Sequence, residues 1–236
     1  MATTADKRPT DFGIGIGEIF VKGFEGYRRA FGPLTLAGLI TIGVYAIFRV
    51  PANNLYIDDR VFTSIGVDLI GLLVSGTIAH AWFRLALAAA DGEPITLSEA
   101  FSRKRSFYHQ AVASFWFWAG VLLGLRYLLG IPSIVAVLFY AFFGYVIADG
   151  RARGGMDALG TSVRVGHRRR IGLFAIASLL TIVNMVGLLP LGFGDSPLAM
   201  VGAVIGFAIT SSISLIAGAV VYRALSAQIT LPERVQ

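Results

Sequence analysis

The three histidines of the chain, His80, His109 and His167, are the first candidates for metal binding or proton transfer. Histidines that share a metal ion usually recur at short spacings, such as i and i+4, which bring both rings to one face of a helix. These three lie far apart, and no serine, histidine and acid form a recognisable nucleophile elbow. The absence of cysteine excludes disulfides, thiolate metal sites and a thiol nucleophile. We therefore expect no catalytic residue, no metal and no cofactor, and the chain is predicted not to be an enzyme.

A second group of reactive side chains lies inside strongly apolar segments. Asp68, His80, Arg126 and Asn184 form this group. Polar and ionisable groups are costly at membrane depth and often mark a functional site. Asp68 and Arg126 are predicted to lie at similar depths, so we expect an ion pair between them, with Arg49 as the alternative partner of Asp68. Such a pair would either fix the register of two helices or form an ion or proton site.

Two further polar features have open interpretations. Gly76 lies four residues before His80 and Trp82 lies two residues after it, so this site could admit a tetrapyrrole to the imidazole nitrogen. A histidine hydrogen-bonded within a helix bundle is the commoner situation. Thr210, Ser211, Ser212 and Ser214 form a hydroxyl cluster, which favours contact between helices over a pore.

The segments that must position these side chains are apolar enough to cross a membrane. Of the 236 residues, 56% are hydrophobic and 14% are charged, whereas a soluble domain has about 25% charged residues. A helical span needs about 20 apolar residues, and six segments approach that length. They cover residues 33–48, 61–90, 109–130, 131–148, 171–192 and 197–225. The sequence therefore predicts an all-α, polytopic transmembrane helical bundle, with six spans arranged as three hairpins.

An amphipathic stretch precedes the first span, over residues 16–31. Its apolar residues recur at helical spacing and its charged residues lie on the opposite side. Glu18 and Lys22 form an i,i+4 pair. Glu25 and Arg29 form a second, and both pairs support a helix. A helix of this kind is expected to lie in the membrane interface.

Two further amphipathic stretches, over residues 96–108 and 156–170, separate the later spans. The earlier one begins with Thr96 and Glu99 in the pattern of a capping box. An internal repeat precedes both stretches, because Ala90-Asp91-Gly92 recurs 58 residues later as Ala148-Asp149-Gly150. The repeat predicts a unit of interfacial helix and transmembrane hairpin that is used three times.

The charge distribution predicts the orientation of the chain. Of the 20 Lys and Arg residues, all but Arg49, Arg60 and Arg126 lie on the side that the six-span topology gives to both termini. By the positive-inside rule, both termini are expected in the cytoplasm. A single transmembrane domain over 14–226 is predicted between a disordered tail over 1–13 and a C-terminal tail over 227–236. The N-terminus has no apolar region typical of a signal peptide.

The same basic residues predict which lipids the protein meets. We expect a basic collar that binds anionic headgroups. Its members are Arg28, Arg29, Arg103, Lys104, Arg105, Arg168, Arg169 and Arg170. No basic segment has interleaved aromatic residues on a polar domain of its own, so nucleic acid is not an expected partner.

Four loose motifs resemble a known family. These are F-x-x-x-Y-R-R-x-F-G-P over 24–33, G-E-P-I-T-L-S-E-A-F over 92–101, D-G-x-x-x-G-G-M-D-A-L-x-x-S over 149–162, and Y-R-A-L over 222–225. Together they resemble bacterial six-helix proteins related to the membrane domain of glycerophosphodiester phosphodiesterases. The resemblance implies an architecture and a location in the bacterial inner membrane. It implies no activity, because no counterpart of the phosphodiesterase catalytic domain is expected here.

These observations lead to three functional hypotheses. The first is a scaffold or accessory subunit without enzymatic activity, which packs with lipids, with partner membrane proteins or with a second copy of itself. The second is a small transporter or lipid-handling permease, which needs a cavity within the bundle. The third is a pigment- or haem-binding subunit that uses His80.

Overall fold

The computed structural model describes residues 12–102, 104–127, 130–194 and 196–234, and these residues form helices without any β-strand. The fold class is therefore all-α over the described part of the chain. The helices, in chain order, are α1 (Ile16–Arg29), α2 (Phe31–Ile57), α3 (Val61–Asp91), α4 (Leu97–Phe101), α5 (Lys104–Tyr127), α6 (Ile131–Tyr140), α7 (Phe143–Ala148), α8 (Gly155–Val165), α9 (Arg170–Gly187) and α10 (Pro197–Ser226). A short 3-10 segment, Leu189–Phe193, joins α9 to α10.

Four of the described helices, α2, α3, α9 and α10, are long and apolar enough to cross a membrane. They support a helical bundle of the transmembrane kind. The third predicted span corresponds to α5. The fourth is interrupted, because α6 ends at Tyr140 and α7 begins at Phe143.

The first predicted span is longer than expected. The first predicted span ends at residue 48, whereas α2 continues to Ile57. Arg49, the residue after the predicted end, pairs with Asp68 of α3, with 2.9 Å between Arg49 Nη1 and Asp68 Oδ2. The pair gives Arg49 a counterion on the neighbouring helix. In addition, Ser64 of α3 donates a hydrogen bond to the Ala52 carbonyl at 2.7 Å.

The amphipathic helix α1 has the predicted position. The ion pair of Glu18 with Lys22 is present at 2.9 Å, and a second pair joins residues 25 and 29. Gly23 and Gly26 allow α1 to lie close to its neighbours: a methyl group on Gly26 would come within 3.1 Å of the Ala89 carbonyl oxygen of α3. These contacts leave other apolar residues of α1, including Phe24, exposed on the outside of the bundle.

The second predicted amphipathic stretch is divided between two helices. Thr96 and Glu99 form the predicted capping box at the start of α4, with their side chains accepting hydrogen bonds from each other's backbone N–H. The Glu99 backbone carbonyl then accepts a hydrogen bond from the Ser102 hydroxyl, where α4 has ended. Tyr108 belongs to α5, which begins at Lys104, five residues before the predicted third span.

Both described ends of the chain meet at one end of the bundle. Phe12 is 1% exposed, and its carbonyl oxygen accepts a hydrogen bond from the Gln228 side chain at 3.2 Å. Arg234 pairs with Asp149 at 3.0 Å. The folded unit therefore includes residues that the sequence assigned to the tails on either side of 14–226. We call this end of the molecule the basal end.

Helix α10 is the central element of the bundle. It packs against α1, α2, α3 and α9, and its Tyr222 side chain is fully buried. Small residues of α10 such as Ala203, Ala208 and Ala217 are buried, and they lie on different sides of the helix because successive residues are about 100° apart. Small residues allow membrane helices to approach closely, so one helix can contact several others.

Candidate functional site

The helical segment over 131–148 is interrupted between α6 and α7. Side chains of α8 and α9 form hydrogen bonds with the backbone at this break. Ser162 of α8 is fully buried; its hydroxyl donates to the Phe139 carbonyl at 3.1 Å and accepts from the Phe142 N–H at 3.0 Å. Arg170 donates to the Leu138 carbonyl at 3.1 Å. Irregular backbone at membrane depth occurs where it is buried in protein or lines a cavity. Neither proline nor glycine lies at the break, so the sequence does not predict it.

A central cavity of about 510 Å³ lies beside this break. Seven helices contribute to its wall: α2, α3, α5, α6, α7, α9 and α10. The wall is mainly apolar and aromatic, and Phe142 and Phe143 place the helix break itself on the cavity surface. The volume falls within the range of about 300–1,000 Å³ that is usual for ligand pockets. No charged side chain belongs to the described part of the wall.

Two buried polar groups on the cavity wall have no hydrogen-bond partner among the described residues. They are the Gln110 Oε1 atom of α5 and the Ser211 Oγ atom of α10. Gln110 is fully buried and Ser211 is 8% exposed. A buried polar atom without a partner is unfavourable by about 1–3 kcal/mol, which makes both atoms candidates for ligand contacts. Sequence reasoning missed Gln110; a glutamine close to the start of an apolar segment was the available signal.

Two other hydroxyls of the predicted cluster, Ser212 and Ser214, bond between helices as expected, whereas the Thr210 hydroxyl bonds to carbonyls of its own helix. Ser212 accepts a hydrogen bond from the Trp82 indole N–H at 3.1 Å, which joins α10 to α3. Ser214 donates to the Asn184 Oδ1 atom at 3.0 Å and joins α10 to α9. Asn184 and Ser214 also line the cavity, so these two predicted polar residues lie beside Ser211 on its wall.

Asp68 lies away from this cavity, between α2 and α3. Its carboxylate pairs with Arg49 and accepts a hydrogen bond from the Tyr45 hydroxyl at 3.1 Å. The alternative partner considered for Asp68 is therefore in place. The side chain of Arg126 lies outside the described residues, and its pairing with Asp68 stays a prediction.

His80 is fully buried and packs edge-on against the Phe107 ring of α5, with 4.9 Å between ring centroids. The space beside Gly76 is occupied by α5, since a methyl group on Gly76 would come within 2.9 Å of the Ser114 Cβ atom. The glycine therefore serves a close contact between α3 and α5. The neighbouring Trp82 is hydrogen-bonded to α10 as described above.

The internal repeat becomes a pair of identical turns at the basal end. Gly92 and Gly150 have φ angles of 76° and 72°, a left-handed conformation that glycine adopts without strain. After each glycine, the next N–H bonds to a carbonyl five residues earlier, as in a Schellman motif. The two aspartates of the repeat, Asp91 and Asp149, both pair with Arg223 of α10. The sequence indicated the repeat, but gave no sign of the shared arginine.

The resulting cluster, which we call the Arg223 cluster, contains Asp91, Asp149, Arg151, Arg223 and Arg234. It borders a pocket of about 410 Å³ at the basal end. Burial alone would raise the pKa of the Asp149 carboxyl. The hydrogen bonds and charges of its arginine neighbours, Arg223 first, outweigh burial and hold that pKa below its usual value.

The predicted lipid-binding arginines differ in their surroundings. Arg28 and Arg168 are exposed, and Arg29 pairs with Glu25 at 3.7 Å. Arg169 is half-buried. Arg170 turns toward the protein, with its guanidinium 3.3 Å from the centre of the Phe139 ring in a cation–π contact. Arg103 and the side chains of residues 104 and 105 lie outside the described part of the chain.

Among the described residues, no group of three or more His, Asp or Glu side chains is arranged to hold a metal ion. Comparison with known proteins adds no relative to this description: no family model, no curated protein and no solved structure matches the chain.

Proposed function

We propose that this chain is a six-span membrane protein without enzymatic activity that binds a lipid-like amphiphile in its central cavity and acts as a small lipid-handling permease. The observation that carries the proposal is the cavity of about 510 Å³ beside the interrupted helix α6–α7. In transporters, discontinuous helices commonly form the substrate site near the middle of the membrane. An apolar wall with a few polar groups suits an amphiphile.

The packing of the helices supports the six-span topology. Helix α2 packs along α3, α5 against α6, and α9 against α10, in the order expected of three hairpins. Both described chain ends lie at the basal end, together with the repeat turns and the arginines of the Arg223 cluster. The positive-inside rule then favours a cytoplasmic basal end, with the protein in a bacterial inner membrane as the family resemblance implies.

The basic collar supports a preference for anionic lipid around the protein. Arg28, Arg29 and Arg168 are exposed, and each adds about 1 kcal/mol of attraction to an anionic surface. The Arg170 guanidinium lies over the Phe139 ring, so we expect this residue to stabilise the backbone at the helix break more than it binds lipid.

A scaffold or accessory subunit is the second candidate function. One face of α9 carries exposed apolar residues at helical spacing. They are Ile171, Phe174, Ile182, Met185 and Val186. Such a face contacts either lipid or the helix of a partner, which includes a second copy of this chain.

The experiment compares two phenylalanine substitutions on the same helix. Ala177 of α9 lines the cavity, whereas Ala175 faces outward. The full chain and the Ala177→Phe and Ala175→Phe variants are purified in mild detergent, and bound molecules are identified by mass spectrometry and absorbance. We expect Ala177→Phe to lose most of a co-purifying amphiphile because the ring fills the cavity, and Ala175→Phe to retain it.

Equal retention of the amphiphile by both variants would contradict the permease proposal. Co-purification of a stoichiometric partner chain, with no bound amphiphile in the unmodified protein, would favour the scaffold. A visible absorbance band that is lost in His80→Ala would instead support a pigment-binding subunit. Thermal unfolding of each variant establishes that the comparison concerns folded protein.

A further inference from the structure

We propose that the occupant of the central cavity is a single-chain amphiphile with an uncharged head that bears hydroxyl groups. This inference rests on the proposed function, since it specifies the ligand class of the same cavity. It follows from three properties of the wall: its lack of charge, its two polar atoms without partners, and its size. The position of the opening adds the route by which the ligand arrives.

The absence of charged residues from the described wall limits which head group the ligand can have. The described wall residues include no Asp, Glu, Lys, Arg or His. A buried charge needs an opposite charge or a dense set of hydrogen bonds. The arginines of the Arg223 cluster are paired with Asp91 and Asp149, outside this cavity. A phosphate, carboxylate or ammonium head therefore has no counterion here, whereas an uncharged head needs none.

Among uncharged head groups, Gln110 and Ser211 favour one that bears hydroxyl groups. Gln110 lines the cavity, and its Nε2 atom lies 3.4 Å from the Ser114 hydroxyl, while its Oε1 atom has no hydrogen-bond partner among the described residues. The Ser211 hydroxyl also lacks a partner. A hydroxyl group donates one hydrogen bond and accepts others, so a head with two hydroxyls complements both the amide and the serine.

The rest of the wall fits one alkyl chain. Aromatic rings from five of the described helices surround the space, among them Trp82, Phe117, Phe143 and Phe207. A volume of about 510 Å³ accommodates a drug-sized molecule, which corresponds to one chain with a small head. Two full acyl chains with a phosphate head would exceed this space.

We place the opening of the cavity between α6 and α9, because each of these helices contributes an exposed residue to the wall. Val137 of α6 lines the cavity and is 37% exposed, and Thr181 of α9 also lines it and is exposed. Both helices belong to the apolar part of the molecule, so this opening faces the hydrocarbon layer. The ligand therefore enters sideways from the bilayer, as a molecule already dissolved in lipid.

The test uses two probes with the same oleoyl chain. Monoolein has an uncharged head with two hydroxyls, and lysophosphatidylglycerol has a phosphate. Each is titrated into the delipidated full chain in detergent, and binding is followed by native mass spectrometry. We expect monoolein to bind saturably with one molecule per chain, and lysophosphatidylglycerol to bind at least about tenfold more weakly, the factor that one unmet polar contact produces.

Gln110→Leu separates a ligand contact from a structural role. The variant should bind monoolein about tenfold more weakly, because one hydrogen bond is lost. Its ligand-free form should unfold at the same or a higher temperature, because a buried amide oxygen without a partner has been removed. Ser211→Ala should also weaken binding, whereas Ser178→Ala, which lies on α9 outside the cavity wall, should not.

Equal affinity for the two probes, or unchanged monoolein binding by Gln110→Leu, would overturn the inference. If either result occurs while Ala177→Phe still loses its co-purified amphiphile, the ligand class is wrong and the proposed function stands. If Ala177→Phe loses nothing, the proposed function fails as well.

Discussion

At the scale of single residues, Asp149 is held by an unusual number of donors. Its carboxylate accepts hydrogen bonds from the side chains of Arg151, Tyr222, Arg223 and Arg234. The side chain is 3% exposed, whereas Asp91, its counterpart in the repeat, is 28% exposed. The two aspartates share a sequence motif and a turn, but they differ in burial and in the number of side chains that donate hydrogen bonds to them within the Arg223 cluster.

The burial of Asp149 leads to a stability prediction. Asp149→Asn should lower the free energy of unfolding by about 2 kcal/mol at pH 7, because the arginines lose a buried counterion while remaining partly hydrated. Asp91→Asn, at the more exposed position, should lower it by less than about 1 kcal/mol. Chemical denaturation of both variants in detergent checks the order. Equal losses would show that burial does not distinguish the two aspartates.

The same carboxylate predicts a dependence on pH. The pKa of Asp149 is lower in the folded protein than its unfolded value of about 3.9. The stability that it contributes is therefore present above the unfolded pKa and is lost as the pH falls through the folded pKa. The difference in unfolding free energy between the unmodified protein and Asp149→Asn should shrink as the pH falls from about 5 through the unfolded pKa and toward the folded one. A difference that stays constant over this range would contradict the assignment.

At the scale of helices, the break between α6 and α7 depends on α8. Ser162→Ala should lower the free energy of unfolding by about 2 kcal/mol, because the Phe139 carbonyl and the Phe142 N–H both lose a buried partner. Hydrogen exchange should accelerate at the Phe142 amide. Ser75→Ala provides the control, since Ser75 bonds within its own helix to the Leu72 carbonyl at 3.4 Å. An unchanged Phe142 amide would mean that Ser162 does not hold the break.

The elements that sequence reasoning predicted well are those with local causes. The capping box at Thr96 and the ion pair of Glu18 with Lys22 involve residues three or four positions apart, so the sequence displays them directly. The break at residues 141–142 has no such signal. It depends on Ser162, which is about 20 residues away and reaches the break because α8 packs against α5, α6 and α7.

The candidate site was harder to predict than the helices, for the same reason. Asp68 attracted attention as an acid in an apolar segment, and its partner Arg49 is 19 residues away. Gln110 and Ser211 belong to one cavity because distant helices meet. The sequence distinguished Ser211 only as a member of a hydroxyl cluster, and no local pattern connects it with Gln110. Arg223 lies 74 residues from Asp149, and a repeat in the sequence cannot show that its two copies share one arginine.

At the scale of the whole molecule, the basal end and the opposite end can be assigned to sides of the membrane. The chain lacks native cysteine, so single cysteines can be labelled without background. Cysteines at Ser98 and Arg164 should react from the cytoplasmic side, and cysteines at Asp58 and Gly192 from the other; all four positions are exposed. An impermeant thiol reagent applied to intact and opened cells provides the measurement. Labelling of Ser98→Cys and Asp58→Cys from the same side would contradict the six-span topology.

The central position of α10 has a consequence for biosynthesis. A chain is made from its N-terminus, so α1, α3 and α7 are synthesised before the helix that carries Arg223. Until α10 is in place, Asp91 and Asp149 lack their common counterion, and α1 lacks the helix against which it packs. Packing of the bundle is therefore completed only once α10 has been added. A ribosome stalled before α10 should hold an open assembly that quality-control proteases can recognise.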